Sequence, residues 1–107
     1  MGTSIDYIEY VCEQINDTGM IRYKKMFGEY MVYVNDKPIL LVCDNTVFVK
    51  MRDEIRGAME RSETGYPYEG AKEHYILDID NRAFSQQIVQ MLEPITKIPE
   101  PRKKKQK

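Results

Sequence analysis

Residues 24–55 read KKMFGEYMVYVNDKPILLVCDNTVFVKMRDEI, and this stretch decides the fold. Three apolar segments, residues 30–34, 39–43 and 46–50, are separated by Asn35-Asp36-Lys37 and by Asp44-Asn45. Asn and Asp tolerate the backbone angles that reverse a chain, so the segments read as antiparallel strands joined by tight turns. Ile39-Leu40-Leu41-Val42-Cys43 is apolar on both faces, which predicts a central strand. Pro38 suits its first position, where a missing ladder donor is tolerated.

On the N-terminal side, residues 20–27 read as a fourth strand, and residues 4–16 as an amphipathic helix. In that helix Ile5, Ile8, Val11, Cys12 and Ile15 recur at helical spacing. Thr3 or Ser4 supplies the N-cap, and Gly19 is a natural stop. On the C-terminal side, residues 52–61 read as a short helix weakened by Gly57, which costs about 1 kcal/mol relative to Ala in a helix interior. Residues 62–71 read as a loop and 74–78 as a last strand. A final helix is capped by Asp80 or Asn81 and buries Phe84, Ile88, Met91, Leu92 and Ile95. The expected order is α-β-β-β-β-α-β-α. It is an α+β domain with a five-stranded antiparallel sheet and helices on one face.

The 107 residues suffice for one domain with one core. The formal charge of −1 hides an asymmetry. Residues 97–107 carry six Lys or Arg against one Glu, a net of +5, and the remainder carries ten basic and sixteen acidic side chains, a net of −6. The expected division is therefore a folded domain over residues 1–96 and a disordered basic tail over 97–107, where Pro99 and Pro101 oppose regular structure. Any attraction to phosphate lies in Arg102, Lys103, Lys104, Lys105 and Lys107, the candidate nucleic-acid contacts, and the same run reads equally well as a solubilising end with no defined partner. Cys12 and Cys43 lack metal-like spacing and read as reduced small hydrophobes, with a disulfide between them left open. No apolar run reaches transmembrane length and no signal-peptide order is present, so the expected location is cytoplasmic, without membrane contact.

Reaction chemistry is sparse. His74 is the only histidine. Asp78, four residues on, shares its strand face but lies roughly 13 Å away. Glu69, Glu73, Asp78 and Asp80 form a loose acidic region without the regular ligand spacing of a calcium loop. No glycine-rich phosphate cradle, helix-turn-helix or zinc finger occurs. Arg22 and Lys24 share a strand face flanked by Met20 and Met26. With Tyr30 and Tyr33 nearby they read either as a small basic-aromatic patch or as an edge strand that uses charge against aggregation, the second being the stronger.

From Lys25-Met26-Phe27-Gly28 through Tyr33, Leu41 to Cys43, Asp44-Asn45 and Phe48-Val49-Lys50, the chain resembles the N-terminal domain of the TfoX/Sxy family, bacterial regulators of competence genes. Gly65, Pro67, Tyr68 and Glu69 look like that family's later loop. The resemblance spans about residues 5 to 95. Two departures stand out. Glu29-Tyr30-Met31 replaces a second glycine and a Gly-Leu-Tyr strand start, and a basic tail stands where full-length regulators carry a helical second domain.

The fold this resemblance implies is a two-layer α/β sandwich like that of type III secretion chaperones. It brings no catalytic residues and no cofactor. Met26, Phe27 and Gly28 are its structural motif, Phe27 as core and Gly28 for backbone geometry or close packing. The leading expectation is a non-enzymatic regulatory interaction domain that works by protein–protein contact through a sheet face or edge, with a homodimer as one form. One alternative is a nucleic-acid accessory protein binding through its tail. Another is an enzyme with a cleft near His74.

Overall fold

A computed structural model of the chain describes residues 2–26 and 29–99. Ser4 starts helix α1 (Ile5–Gln14), its hydroxyl accepting from the Tyr7 N–H. A 3₁₀ turn (Asn16–Thr18) ends at Gly19. Strands β1 (Ile21–Met26), β2 (Glu29–Val34), β3 (Lys37–Cys43) and β4 (Thr46–Lys50) follow as an antiparallel meander. The β2–β3 and β3–β4 connections have two residues each, and all four of those residues, Asn35, Asp36, Asp44 and Asn45, have positive φ. That is the type I′ geometry whose twist matches paired strands, and it explains why Asn and Asp occupy these positions. Ile39 is the extra residue of a bulge in β3, since the β2 register jumps from Leu40 opposite Val32 to Pro38 opposite Tyr33.

The described sheet has six strands in the order β1-β2-β3-β4-β6-β5, with β3 and β4 in the middle. The extra strand is β5 (Thr64–Gly65), within the stretch expected as a loop. It pairs with β6 (His74–Ile76), and the Ile76 N–H donates to the Glu63 carbonyl at 2.8 Å. Two residues are too few for an alternating pattern to be visible in sequence. Helix α2 (Asp53–Arg56) is also shorter than expected and closes at Gly57, beyond which turns carry the chain on. Gly57 itself keeps helical angles, φ −64° and ψ −42°, and its backbone freedom weakens the helix at the point where it gives way to turns. Asn81 caps α3 (Arg82–Leu92) by accepting from the Phe84 N–H, and a 3₁₀ turn (Glu93–Ile95) ends it.

All three helices place buried residues on the same face of the sheet. Ile8, Val11 and Ile15, Ile55 and Met59, and Ile88, Val89 and Leu92 form one cluster with Tyr30, Val32, Val34, Leu40, Val42, Val47 and Val49. The α+β two-layer architecture is therefore as expected. Val89, absent from the expected buried face of α3, is fully buried, whereas Phe84, Met91 and Ile95 pack at its margin. Polar ties hold α3 to α1: Arg82 donates to the Glu13 carbonyl at 2.8 Å and Gln86 to the Gln14 carbonyl at 3.0 Å. The Glu13 carbonyl also accepts from backbone N–H at the helix cap, so Arg82 adds a further bond there, while Gln86 meets the carbonyl of the last helical residue, Gln14. At the other end of α3, Lys37 reaches the Glu93 carboxylate at 3.0 Å and its carbonyl at 2.9 Å. Lys37, together with Asn35, holds the Glu93 carboxyl below its ordinary pKa.

Gly19 sits at φ +152° and ψ −160°, a region essentially reserved for glycine. A Cβ there would lie 2.7 Å from the Asn35 side-chain amide. That amide is already engaged, accepting from the Met20 N–H and donating to Glu93. Gly19→Ala is therefore expected to cost about 1–3 kcal/mol, read as a lower urea midpoint at unchanged slope. An unchanged midpoint would show that residue 19 is free to relax.

Candidate interaction surface

The strand period assigns each residue to a face. Tyr30, Val32 and Val34 point at the helices, so Met31 and Tyr33 lie on the opposite, open face. Strand register carries the same face across the sheet. Lys24 is opposite Met31, Met31 opposite Leu41, Leu41 opposite Phe48, and Phe48 opposite Ile76. The hydrogen bond from Ile76 to the Glu63 carbonyl places Glu63 next in line. One row thus crosses the open face as Lys24, Met31, Leu41, Phe48, Ile76, Glu63, with a cation at one end, a carboxylate at the other and four apolar side chains between.

Phe48 and Cys43 are buried, yet both lie outside the cluster between sheet and helices. A Cβ on Gly65 would touch Phe48 and Ile76 at 3.5 and 3.3 Å, so both side chains lean toward β5 on this face. Met31, Leu41 and Ile76 remain half-buried. No helix of the described residues packs on this face with a residue of the main cluster.

His74 belongs to the same face. Its ring stands edge-on to Phe48 at 6.3 Å and its Nδ1 lies 2.7 Å from the Lys72 carbonyl. Among the described residues it has no hydrogen bond to a carboxylate, and the acidic region near it is dispersed. Glu73 accepts from Thr64, and Asp80 accepts from Tyr10 at 2.6 Å. That bond raises the Tyr10 pKa. Among the described residues no group of three or more His, Cys, Asp or Glu is placed to hold a metal ion.

The expected basic-aromatic patch is divided by the pleat. Arg22 lies over the Tyr33 ring at 4.2 Å and pairs with Asp36 at 3.1 Å, all on the open face. Tyr30 is buried under the helices, where Tyr23 meets it edge-on. Met26 ends β1 and is half-buried. Phe27 and Gly28, the rest of the expected motif, and Arg102, Lys103, Lys104, Lys105 and Lys107 lie outside the described residues.

Both cysteines are free. Burial, reinforced by Glu9 for Cys12 and by Glu29 and Asp44 for Cys43, pushes each thiol up to about 11. A protonated thiol is a poor nucleophile. Native protein should therefore alkylate slowly at pH 7, with rates climbing only as the pH approaches about 11. Rapid stoichiometric alkylation at neutral pH would contradict these environments.

The row was hard to find in sequence because it takes one residue from each strand. The available signal was that β3 is apolar on both faces and that Met31 and Phe48 put large apolar groups on the second face of β2 and β4, which a sheet covered on one side does not require.

A sequence model of the TfoX N-terminal domain matches residues 13–89. A protein of Spirochaeta aurantia, described as an uncharacterized 12.7 kDa protein in the trpE 5' region, is 33% identical over 109 aligned residues. The alignment takes in 100% of this chain and 95% of that protein.

Proposed function

We propose a function from one premise: the chain belongs to the TfoX N-terminal domain family. It is a non-enzymatic, regulatory interaction domain of the cytoplasm, and its first partner is a second copy of itself, seated on the open face of the sheet. The carrying observation is the row Lys24, Met31, Leu41, Phe48, Ile76, Glu63.

A two-fold axis running along the strands between β3 and β4 reverses the order of that row in the second copy. Leu41 then faces Phe48, Met31 faces Ile76, and Lys24 faces Glu63. The surface is self-complementary in both greasiness and charge, as an isologous contact requires. Two inner faces of this kind pack about 10 Å apart in sandwiches.

The regulatory part of the reading rests on family membership. The two free cysteines fit a reducing compartment. No helix of the described residues is long and apolar enough to cross a membrane. Light scattering over a concentration series tests the association. The expected result is a mass that rises to twice the 12.6 kDa of the chain. A strict monomer at the highest soluble concentration would remove the reading.

A further inference from the structure

The outer edge of β1 is a second surface, which shares Arg22 and Lys24 with the open face, and its ladder phase is fixed. The Asn35 N–H donates to the Met20 carbonyl at 2.8 Å, and these residues are opposite one another in register with the β1–β2 pairs. Exchange of both bonds alternates along an antiparallel pair. Arg22, Lys24 and Met26 therefore bond to β2, while the N–H and C=O groups of Ile21, Tyr23 and Lys25 point away from the sheet. β1 is one of the two edges of the described sheet, and the other, β5, has only two residues.

Beside that edge a shallow groove of about 440 Å³ runs between α1 and β1, lined by Glu9, Cys12, Glu13, Ile21 and Tyr23 among others. On the other side of the strand the exposed side chains are Arg22 and Lys24. Arg22 is matched by Asp36, whereas Lys24 and Lys25 make no ion pair among the described residues. A second β1 laid against this edge would set like charges side by side, which is destabilising. A strand with carboxylates opposite Arg22 and Lys24 is favoured instead. Its alternate side chains would enter the groove, where apolar groups meet Ile21, Tyr23 and Cys12, and acidic ones would meet Glu9 and Glu13.

We propose that the outer edge of β1 is a strand-addition site for an extended segment of another protein in which acidic and apolar residues alternate. Main-chain bonds to Ile21, Tyr23 and Lys25 supply the attachment, and the two-residue alternation supplies the selectivity.

The test titrates the full chain, at low salt, with a fluorescein-labelled peptide of alternating Glu and Val, followed by anisotropy. A peptide of alternating Lys and Val is the control. The Glu-Val peptide is expected to bind about tenfold or more tighter than the control. Lys25→Pro removes one outward donor and no β1–β2 bond. It should abolish binding, whereas Lys25→Ala should weaken it only severalfold. Should Lys25→Pro fail to fold, amide exchange on the unaltered protein decides, since Ile21, Tyr23 and Lys25 should become protected when the Glu-Val peptide is added. The proposal is overturned if neither peptide binds, if both bind equally, if the Pro and Ala variants bind alike, or if those three amides exchange at unchanged rates. Lys25 lies opposite Tyr30 and so on the helix side of β1, and both of its variants leave the open-face row unchanged. Because Lys24 belongs to that row, the titration is run at chain concentrations where light scattering records a single chain.

Discussion

Leu41→Lys is expected to prevent the proposed dimer from forming and to leave a monomer that keeps its fold. Leu41 is half-buried in the middle of the open face, between Met31 and Phe48. In the monomer a lysine there extends into water along its own aliphatic stem. In the proposed dimer each copy would press an unpaired ammonium against Phe48 of the other. Desolvating it without a partner costs about 3 kcal/mol or more, roughly 100-fold or more in the dissociation constant. The sedimentation profile should change to that of a single chain while the circular dichroism spectrum and thermal midpoint stay close to those of the unaltered monomer.

The charged ends of the row give a more selective check. Lys24→Glu and Glu63→Lys should each weaken association by setting like charges face to face, and the doubly substituted chain should recover most of the loss. Recovery would tie the two ends of the row to each other across the interface. Failure to recover would place Lys24 and Glu63 against something other than each other.

Leu40→Ala, one residue earlier, should do the opposite. Leu40 is fully buried in a central strand and packs in the cluster shared with all three helices. Deleting three carbons there removes transfer free energy and leaves a cavity that a surrounding sheet can only partly close. The expected cost is about 2–5 kcal/mol, a large share of the roughly 5–15 kcal/mol that holds a domain of this size. The thermal midpoint should fall by on the order of 10–30 °C. Neighbouring leucines of one strand would thus separate stability from assembly, because the pleat sends their side chains to different layers. A shift of less than about 5 °C for Leu40→Ala would mean that the cluster does not depend on this position.

The meander was legible because two constraints coincide in a few residues. Asn35-Asp36 and Asp44-Asn45 mark turns by their tolerance of positive φ, and the segments between them are too short for helices. The ends of α1 and α3 were legible from Ser4 and Asn81, whose side chains meet the first free N–H groups. β5 was not, since its pairing depends on where β6 lies and not on its own two residues. The length of α2 was overestimated because Ile55, Ala58 and Met59 keep helical spacing through a segment that turns after Gly57. Met59 reaches the core all the same, with its N–H bonded to the Ile55 carbonyl at 2.9 Å. The open-face row emerged only from the register of five strand pairings. The expected mixing of Tyr30 and Tyr33 in one patch failed on the same ground, because residues of opposite parity in one strand face opposite layers.

Isotope-filtered nuclear Overhauser spectroscopy on an equal mixture of labelled and unlabelled chains tests the central claim most directly, because it records only contacts between copies. The arrangement predicts cross-peaks from Leu41 methyl groups of one copy to the Phe48 ring of the other, and from Met31 to Ile76. A concentrated sample with no intermolecular cross-peaks on the open face, or with all of them at another surface, would contradict it.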